Sequence, residues 1–188
     1  MQIKSAEFIK GIRGTDNILN EQKMQVAFVG RSNVGKSSLM NCLLNRVDLV
    51  KSGKLPGKTK EINFFLVNDK FYFVDLPGYG YAKLPLETRE QLAKMIQWYL
   101  QQEVFKRKVV IVLDIKAGPN EMDLEILRIV QESGQEVIVV ANKADKLNQH
   151  KQSEQLKMIS AKMPGIIIIP CSATTRLGRE EILKKITA

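Results

Sequence analysis

Six short apolar stretches recur along the chain, separated by longer segments with helical spacing, and this alternation limits the fold more than any other feature. The stretches are "MQVAFVG" from Met24, "EINFFLV" from Glu61, "KFYFVDL" from Lys70, "KVVIVLD" from Lys108, "QEVIVVAN" from Gln135 and "GIIIIPC" from Gly165. Four of them are nearly continuous in apolar residues, as strands buried on both faces of a parallel sheet must be. Asn68-Asp69 separates the second from the third closely enough for a hairpin, which predicts one antiparallel edge strand. Between strands, Leu92, Met95, Ile96 and Tyr99 form an i, i+3, i+4, i+7 stripe; Met122, Ile126, Ile129 and Val130 form a second, and Leu156, Ile159 and Met163 a weaker third. Trp98 falls within the first helix and is expected to fill core or groove.

Alternation of this kind predicts an α/β fold in three layers: a six-stranded, mostly parallel sheet with helices on both faces. Such sheets bind ligands beyond the carboxyl ends of their strands. The places to look are therefore just after Val29, Val74, Val140 and Pro170.

After Val29 comes "GRSNVGKSSL", a G-x-x-x-x-G-K-S run opening directly into a helical sequence. Gly30 and Gly35 let the backbone wrap so that successive N–H groups of Arg31, Ser32, Asn33 and Val34 point inward, a cradle for phosphate. The helix starting near Lys36 aims its positive end at the same anion. Lys36 supplies a point charge to the β- and γ-phosphates, Ser37 a hydroxyl for Mg²⁺, and Ser38 completes the first turn.

After Val74 comes "DLPG": Asp75 is placed to hold Mg²⁺, Leu76 and Pro77 form the turn, and the Gly78 N–H can meet a γ-phosphate. After Val140 comes "NKAD". Here Asp145 can accept two hydrogen bonds from guanine N1–H and its N2 amine, a pairing adenine cannot provide. Asn142 can order the loop and touch the base edge, the Lys143 stem can lie across the ring, and Ala144 lies between Lys143 and Asp145. After Pro170 comes "CSA", where the N–H groups of Cys171, Ser172 and Ala173 are candidates for guanine O6. One more segment, "KSGKLPGKTKE" from Lys51, is polar and lacks a helical stripe. Within it Pro56, Gly57, Lys58 and Thr59 are expected to approach the nucleotide, Thr59 adding a hydroxyl to Mg²⁺ and an N–H to the γ-phosphate when that phosphate is present. Four motifs in order, each at a strand end, predict a GTP-binding P-loop domain spanning residues 1–188, with 1–22 as a short N-terminal extension.

At 188 residues the chain fits one domain, and its two cysteines, Cys42 and Cys171, lack the spacing of a zinc or redox pair. Its longest apolar run, Ile166 to Ile169, is far too short for a bilayer, and the N-terminus shows no signal-peptide pattern. A net charge of +9 suits an anionic partner, nucleic acid or an acidic membrane surface, and suits equally a solvated basic surface.

The residues "GRSNVGKSSL", "PGKT", "DLPGYGYA" and "ADKL" resemble the EngB/YihA-type ribosome-biogenesis GTPases, of the TRAFAC class, from about Phe8 to the C-terminus. "GRSNVGKSS" and "DLPGYGYA" are the runs most specific to that family; Asn142 departs from it, since many members carry Thr in "TKAD". The resemblance implies a soluble bacterial or organellar GTPase that assists assembly of the large ribosomal subunit, with ribosomal RNA as the target of its charge; GTP and GDP with Mg²⁺ as ligands, a cytoplasmic location and a monomeric state are the accompanying expectations. A GTPase serving tRNA modification, division or a membrane surface, and an RNA-binding module with incidental hydrolysis, are the competing readings.

Lys36, Asn33, Thr59 and Gly78 are the residues expected to act in catalysis. Tyr79 stands where some GTPases keep a water-orienting glutamine, which predicts slow intrinsic hydrolysis. Asn33 either helps hold K⁺ beside the phosphates, as in related GTPases, or caps its own turn. Tyr79 and Tyr81 either meet a partner or pack beneath the loop, while Gly80 permits movement. His150 is alone in a polar stretch and is given no catalytic role.

Overall fold

A computed structural model describes residues 2–51, 61–81 and 84–187. Seven strands form one sheet: β1 (Ala6–Ile12), β2 (Met24–Gly30), β3 (Ile62–Val67), β4 (Phe71–Asp75), β5 (Arg107–Asp114), β6 (Glu136–Asn142) and β7 (Ile167–Pro170). Their order is β1-β3-β4-β2-β5-β6-β7. The β2–β4, β2–β5, β5–β6 and β6–β7 pairs are parallel, whereas β3 is antiparallel to both neighbours. Five helices accompany them among the described residues: α1 (Lys36–Leu44), α2 (Leu86–Gln101), α3 (Glu121–Glu132), α4 (Gln149–Lys162) and α5 (Arg179–Thr187).

Strand alternation divides the core into two layers. On β5, Val109, Ile111 and Leu113 face the layer under α2, α3 and α4, while Val110 and Val112 face the layer under α1 and α5. Both sets are fully buried or nearly so, which is why the sequence reads as an unbroken apolar run. The predicted stripe of α2 buries Leu92, Ile96 and Tyr99, with Met95 and Trp98 packed at its margin. The predicted hairpin forms at Asn68 and Asp69, both at positive φ as a type I′ turn requires.

Two elements depart from the sequence expectation. The sheet has a seventh strand, because β1 adds to the outer edge of β3. Four consecutive residues of β1, Glu7 to Lys10, are exposed, so its backbone pairing to β3 leaves little apolar signature. The second is α5, whose Ile182, Leu183 and Ile186 are buried against the α1 layer although charged residues dominate the segment. The segment is a packed amphipathic helix.

Candidate functional site

The parallel strands β2, β4, β5, β6 and β7 deliver five loops to one edge of the sheet. Gly30 closes β2 so tightly against β5 that an added Cβ would lie 2.5 Å from the Val112 carbonyl oxygen. Gly35, at φ 91°, precedes α1, and an added Cβ there would meet Asn142 Nδ2 at 2.5 Å. Only glycine satisfies both the left-handed backbone and that approach. Asn33 is also left-handed, at φ 67°, and exposed, so the loop turns sharply before the helix begins. No side chain caps α1, which leaves its first N–H groups directed at the loop's interior. Ser37 and Ser38 lie in this first turn, Ser37 half-buried and Ser38 exposed, while Val34 is buried beneath the loop.

Lys36 is 9% exposed and Asp75 4% exposed, and the ammonium donates directly to the Asp75 carboxylate. A buried pair of this kind joins the lysine of the phosphate loop to the aspartate at the tip of β4. Leu76 and Pro77 are buried behind it, and Leu76 N–H donates to Phe28 O at 3.1 Å. Gly78 then passes along the phosphate loop, its position for a Cβ 3.4 Å from Ser32 N and Cα.

Asn142 and Lys143 bind the loops to each other. Asn142 is 2% exposed; its Nδ2 donates to Val34 O at 2.9 Å and Gly35 O at 3.4 Å, and its Oδ1 accepts from Ala173 N at 3.3 Å. It therefore orders the loop from within. Lys143 Nζ donates to Asn33 O and to Asp114 Oδ2, each at 2.8 Å. Ala144 is buried, and its N–H reaches Cys171 O at 2.9 Å. Cys171 and Ser172 are buried and donate their backbone N–H groups to Ala141 O and Leu177 O.

Asp145 stands exposed at the rim, held below the usual carboxylate range by a hydrogen bond from the Ser172 hydroxyl and then by the Lys146 ammonium. Its charge persists well below neutral pH. Burial works against ionisation of Asp114, but Lys143 and the Lys116 and Ala117 N–H groups outweigh it and bring the carboxyl below its ordinary value.

Tyr79 proves to be packing: it is 2% exposed, and its hydroxyl donates to the Asp123 carboxylate on α3. Tyr81, half-buried, lines a groove of about 210 Å³ with Leu84, Leu86, Leu92 and Met122. Cys42 and Cys171 are free thiols, His150 is exposed and faces Glu154, and no cluster of metal-ligating side chains occurs among the described residues. Pro56, Gly57, Lys58 and Thr59 lie outside the described residues.

Three contributors went unnoticed in the sequence. Asp114 ends β5, and only its position at a strand tip marks it. Asp123 is hidden in the capping box that it forms with Asn120. Asn41 exchanges two hydrogen bonds with the backbone of Val50, at 2.8 and 2.9 Å, and so anchors the chain that leaves α1.

Comparison with known proteins agrees with this geometry. A family model described as 50S ribosome-binding GTPase matches residues 25–143. The probable GTP-binding protein EngB of Clostridium kluyveri is 40% identical over 187 residues, covering 98% of this chain and 95% of the relative. That of Fusobacterium nucleatum is 40% identical, with 97% and 95% covered. A crystal structure of a probable GTP-binding protein engB superposes with a TM-score of 0.72 at 26% identity, over 87% of this chain and 96% of the other. Era in complex with MgGDPNP and a fragment of 16S ribosomal RNA superposes at 0.64 and 27% identity, over 87% and 56%.

Proposed function

This chain belongs to the EngB family of GTP-binding proteins and hydrolyses GTP, and from that premise we propose that it acts as a guanine-nucleotide switch in assembly of the large ribosomal subunit. The observation that most supports the site is the Asn142 amide bonded to the Val34 and Gly35 carbonyls, which joins the phosphate loop to the loop that would read guanine. In this reading, the phosphate loop and the first turn of α1 cradle the phosphates; not every loop N–H is available for this, because Ser32 N–H is given to Tyr79 O at 2.8 Å and Val34 N–H to Arg31 O at 3.3 Å. Lys36 gives charge to the β- and γ-phosphates, Gly78 N–H meets the γ-phosphate, and Asp145 accepts from guanine. The expectation that the N–H groups of Cys171, Ser172 and Ala173 meet guanine O6 does not fit this structure, where they donate to Ala141 O, Leu177 O and Asn142 Oδ1; the three residues lie beside the loop that would read guanine.

The donor set fits Mg²⁺. The Asp75 carboxylate, now paired with the Lys36 ammonium, would be a buried oxygen ligand once that lysine meets the phosphates, and Ser37 would offer a hydroxyl one residue further along α1. Thr59 is the third ligand in this reading. The ion would neutralise charge on the β- and γ-phosphates. K⁺ at Asn33 is the further charge proposed beside them.

The Tyr79 hydroxyl is buried against Asp123 and is not placed to orient water, which supports the expectation of slow hydrolysis by the free protein. The family model's description, the RNA carried by the Era neighbour and a net charge of +9 support a ribosomal RNA partner. Among the described residues no helix is long and apolar enough to cross a membrane; the work proposed belongs in the cytoplasm. The test is cosedimentation with 50S particles in a GTP analogue against GDP across a salt series. Equal binding in both nucleotides overturns the switch.

A further inference from the structure

Tyr79 is held at both ends. Its carbonyl accepts from Ser32 N at 2.8 Å, and the strand-like bridge between Tyr79 and Arg31 continues the contact along the phosphate loop. Its hydroxyl crosses the core to Asp123. Asp123 is itself immobile: it is fully buried, its Oδ2 accepts from Asn120 N at 2.8 Å, and its N–H donates to Asn120 Oδ1 at 3.0 Å. The α3 capping box is thus also the anchor for the residue that follows Gly78.

Such a burial is costly for a carboxylate unless its partners repay it. Desolvation pushes the Asp123 carboxyl up, against the pull of the Asn120 N–H, the Tyr79 hydroxyl and the nearby Arg31 guanidinium. A helix N-cap does not require this arrangement, because the box could face solvent. Leu, Phe or Met at position 79 would fill the same apolar space but leave Asp123 Oδ1 buried without the hydroxyl that donates to it. The hydroxyl and the carboxylate are matched to each other, and the consequence of their match falls on Gly78, one residue away, where an added Cβ would lie 3.4 Å from Ser32 N and Cα.

We propose that Asp123 is a positioning residue for GTP hydrolysis: by holding the Tyr79 hydroxyl it fixes the main chain at Gly78 against the phosphate loop, where its N–H meets the γ-phosphate. This rests on the nucleotide-site reading above. It assigns Asp123 a duty that discriminates triphosphate from diphosphate, since only the triphosphate has the group that Gly78 touches.

The test uses the full chain carrying Tyr79→Phe, which keeps the ring and the α3 cap and removes one oxygen, alongside Asp123→Asn and the double variant. Fluorescent GDP and a non-hydrolysable GTP analogue are titrated, kcat and KM for GTP are measured, and thermal melting confirms folding. The expected result is GDP affinity within about twofold of the unsubstituted protein, analogue affinity lower by about tenfold, and kcat/KM reduced to match. The double variant is expected to lose no more than the worse single one, since both act on one interaction. An unchanged ratio of analogue to GDP affinity, or an equal loss of both, makes Asp123 merely structural and overturns the proposal. Failure of the unsubstituted protein to bind either nucleotide would instead sink the nucleotide-site reading, and this proposal with it.

Discussion

Asn142 donates its side-chain amide to the Val34 carbonyl at 2.9 Å, across 108 residues of sequence. The bond joins the two loops that a guanine nucleotide would span, and it is buried. An isosteric comparison isolates it. Asn142→Thr keeps a hydroxyl donor near the carbonyls, whereas Asn142→Val leaves them unpaired at a cost of about 1–3 kcal/mol. GDP affinity by isothermal titration is expected to fall severalfold more for Val than for Thr. Equal losses would show that the donor is irrelevant.

The Lys36–Asp75 pair is nearly buried, and both members face the site. Removing one partner strands the other charge, which typically costs about 3–5 kcal/mol, so Lys36→Ala is expected to lower the unfolding free energy in urea as well as abolish GTP binding. Lys36→Ala with Asp75→Asn together should recover part of the stability without recovering binding. No recovery would mean that the pair is not coupled.

Asp114 should shape the acid limb of the stability curve. Its carboxyl is depressed in the folded protein, so the stabilisation is complete above the unfolded value of 3.8 and is lost as pH falls through the lower folded value. Asp123 carries the opposite sign, because its carboxyl is raised: its contribution diminishes as pH rises through the folded value. Chemical denaturation at pH 6 and pH 3 is expected to show a smaller acid-induced drop for Asp114→Asn than for the unsubstituted chain. An identical drop contradicts the Lys143–Asp114 pair.

Turnover by the free protein is expected below about 1 s⁻¹, the low end for enzymes, and faster in KCl than in NaCl at equal ionic strength. Asn33→Ala should remove the difference between the salts. Equal rates in the two salts exclude a K⁺ role at Asn33.

Much of this architecture is legible in the sequence where burial is two-sided. β2, β5 and β6 announce themselves because interior strands need apolar residues on both faces, and the edge strand β7 by its run of isoleucines although Ile167 is 43% exposed. β1 does not, since an edge strand is held by backbone bonds to β3 and its Phe8 is 52% exposed while resting on Phe65. α5 hides because three buried positions, Ile182, Leu183 and Ile186, suffice to dock a nine-residue helix whose other positions are mostly charged. The strand-end motifs reveal which residues gather, because glycines and helix starts are local signals. Contacts that cross the core are another matter: the fate of the Tyr79 hydroxyl depends on Asp123, 44 residues away, and that of Lys143 on Asp114. Nothing at Tyr79 itself distinguishes a partner contact from packing.

Whether the nucleotide governs engagement of ribosomal particles is read from cosedimentation with purified 50S particles at several salt concentrations. Pelleting is expected with the GTP analogue, with release in GDP, a steep loss with added salt, and no nucleotide response from Lys36→Ala. Pelleting that is equal in GTP analogue and GDP, or a Lys36→Ala protein that still responds to nucleotide, would contradict the switch.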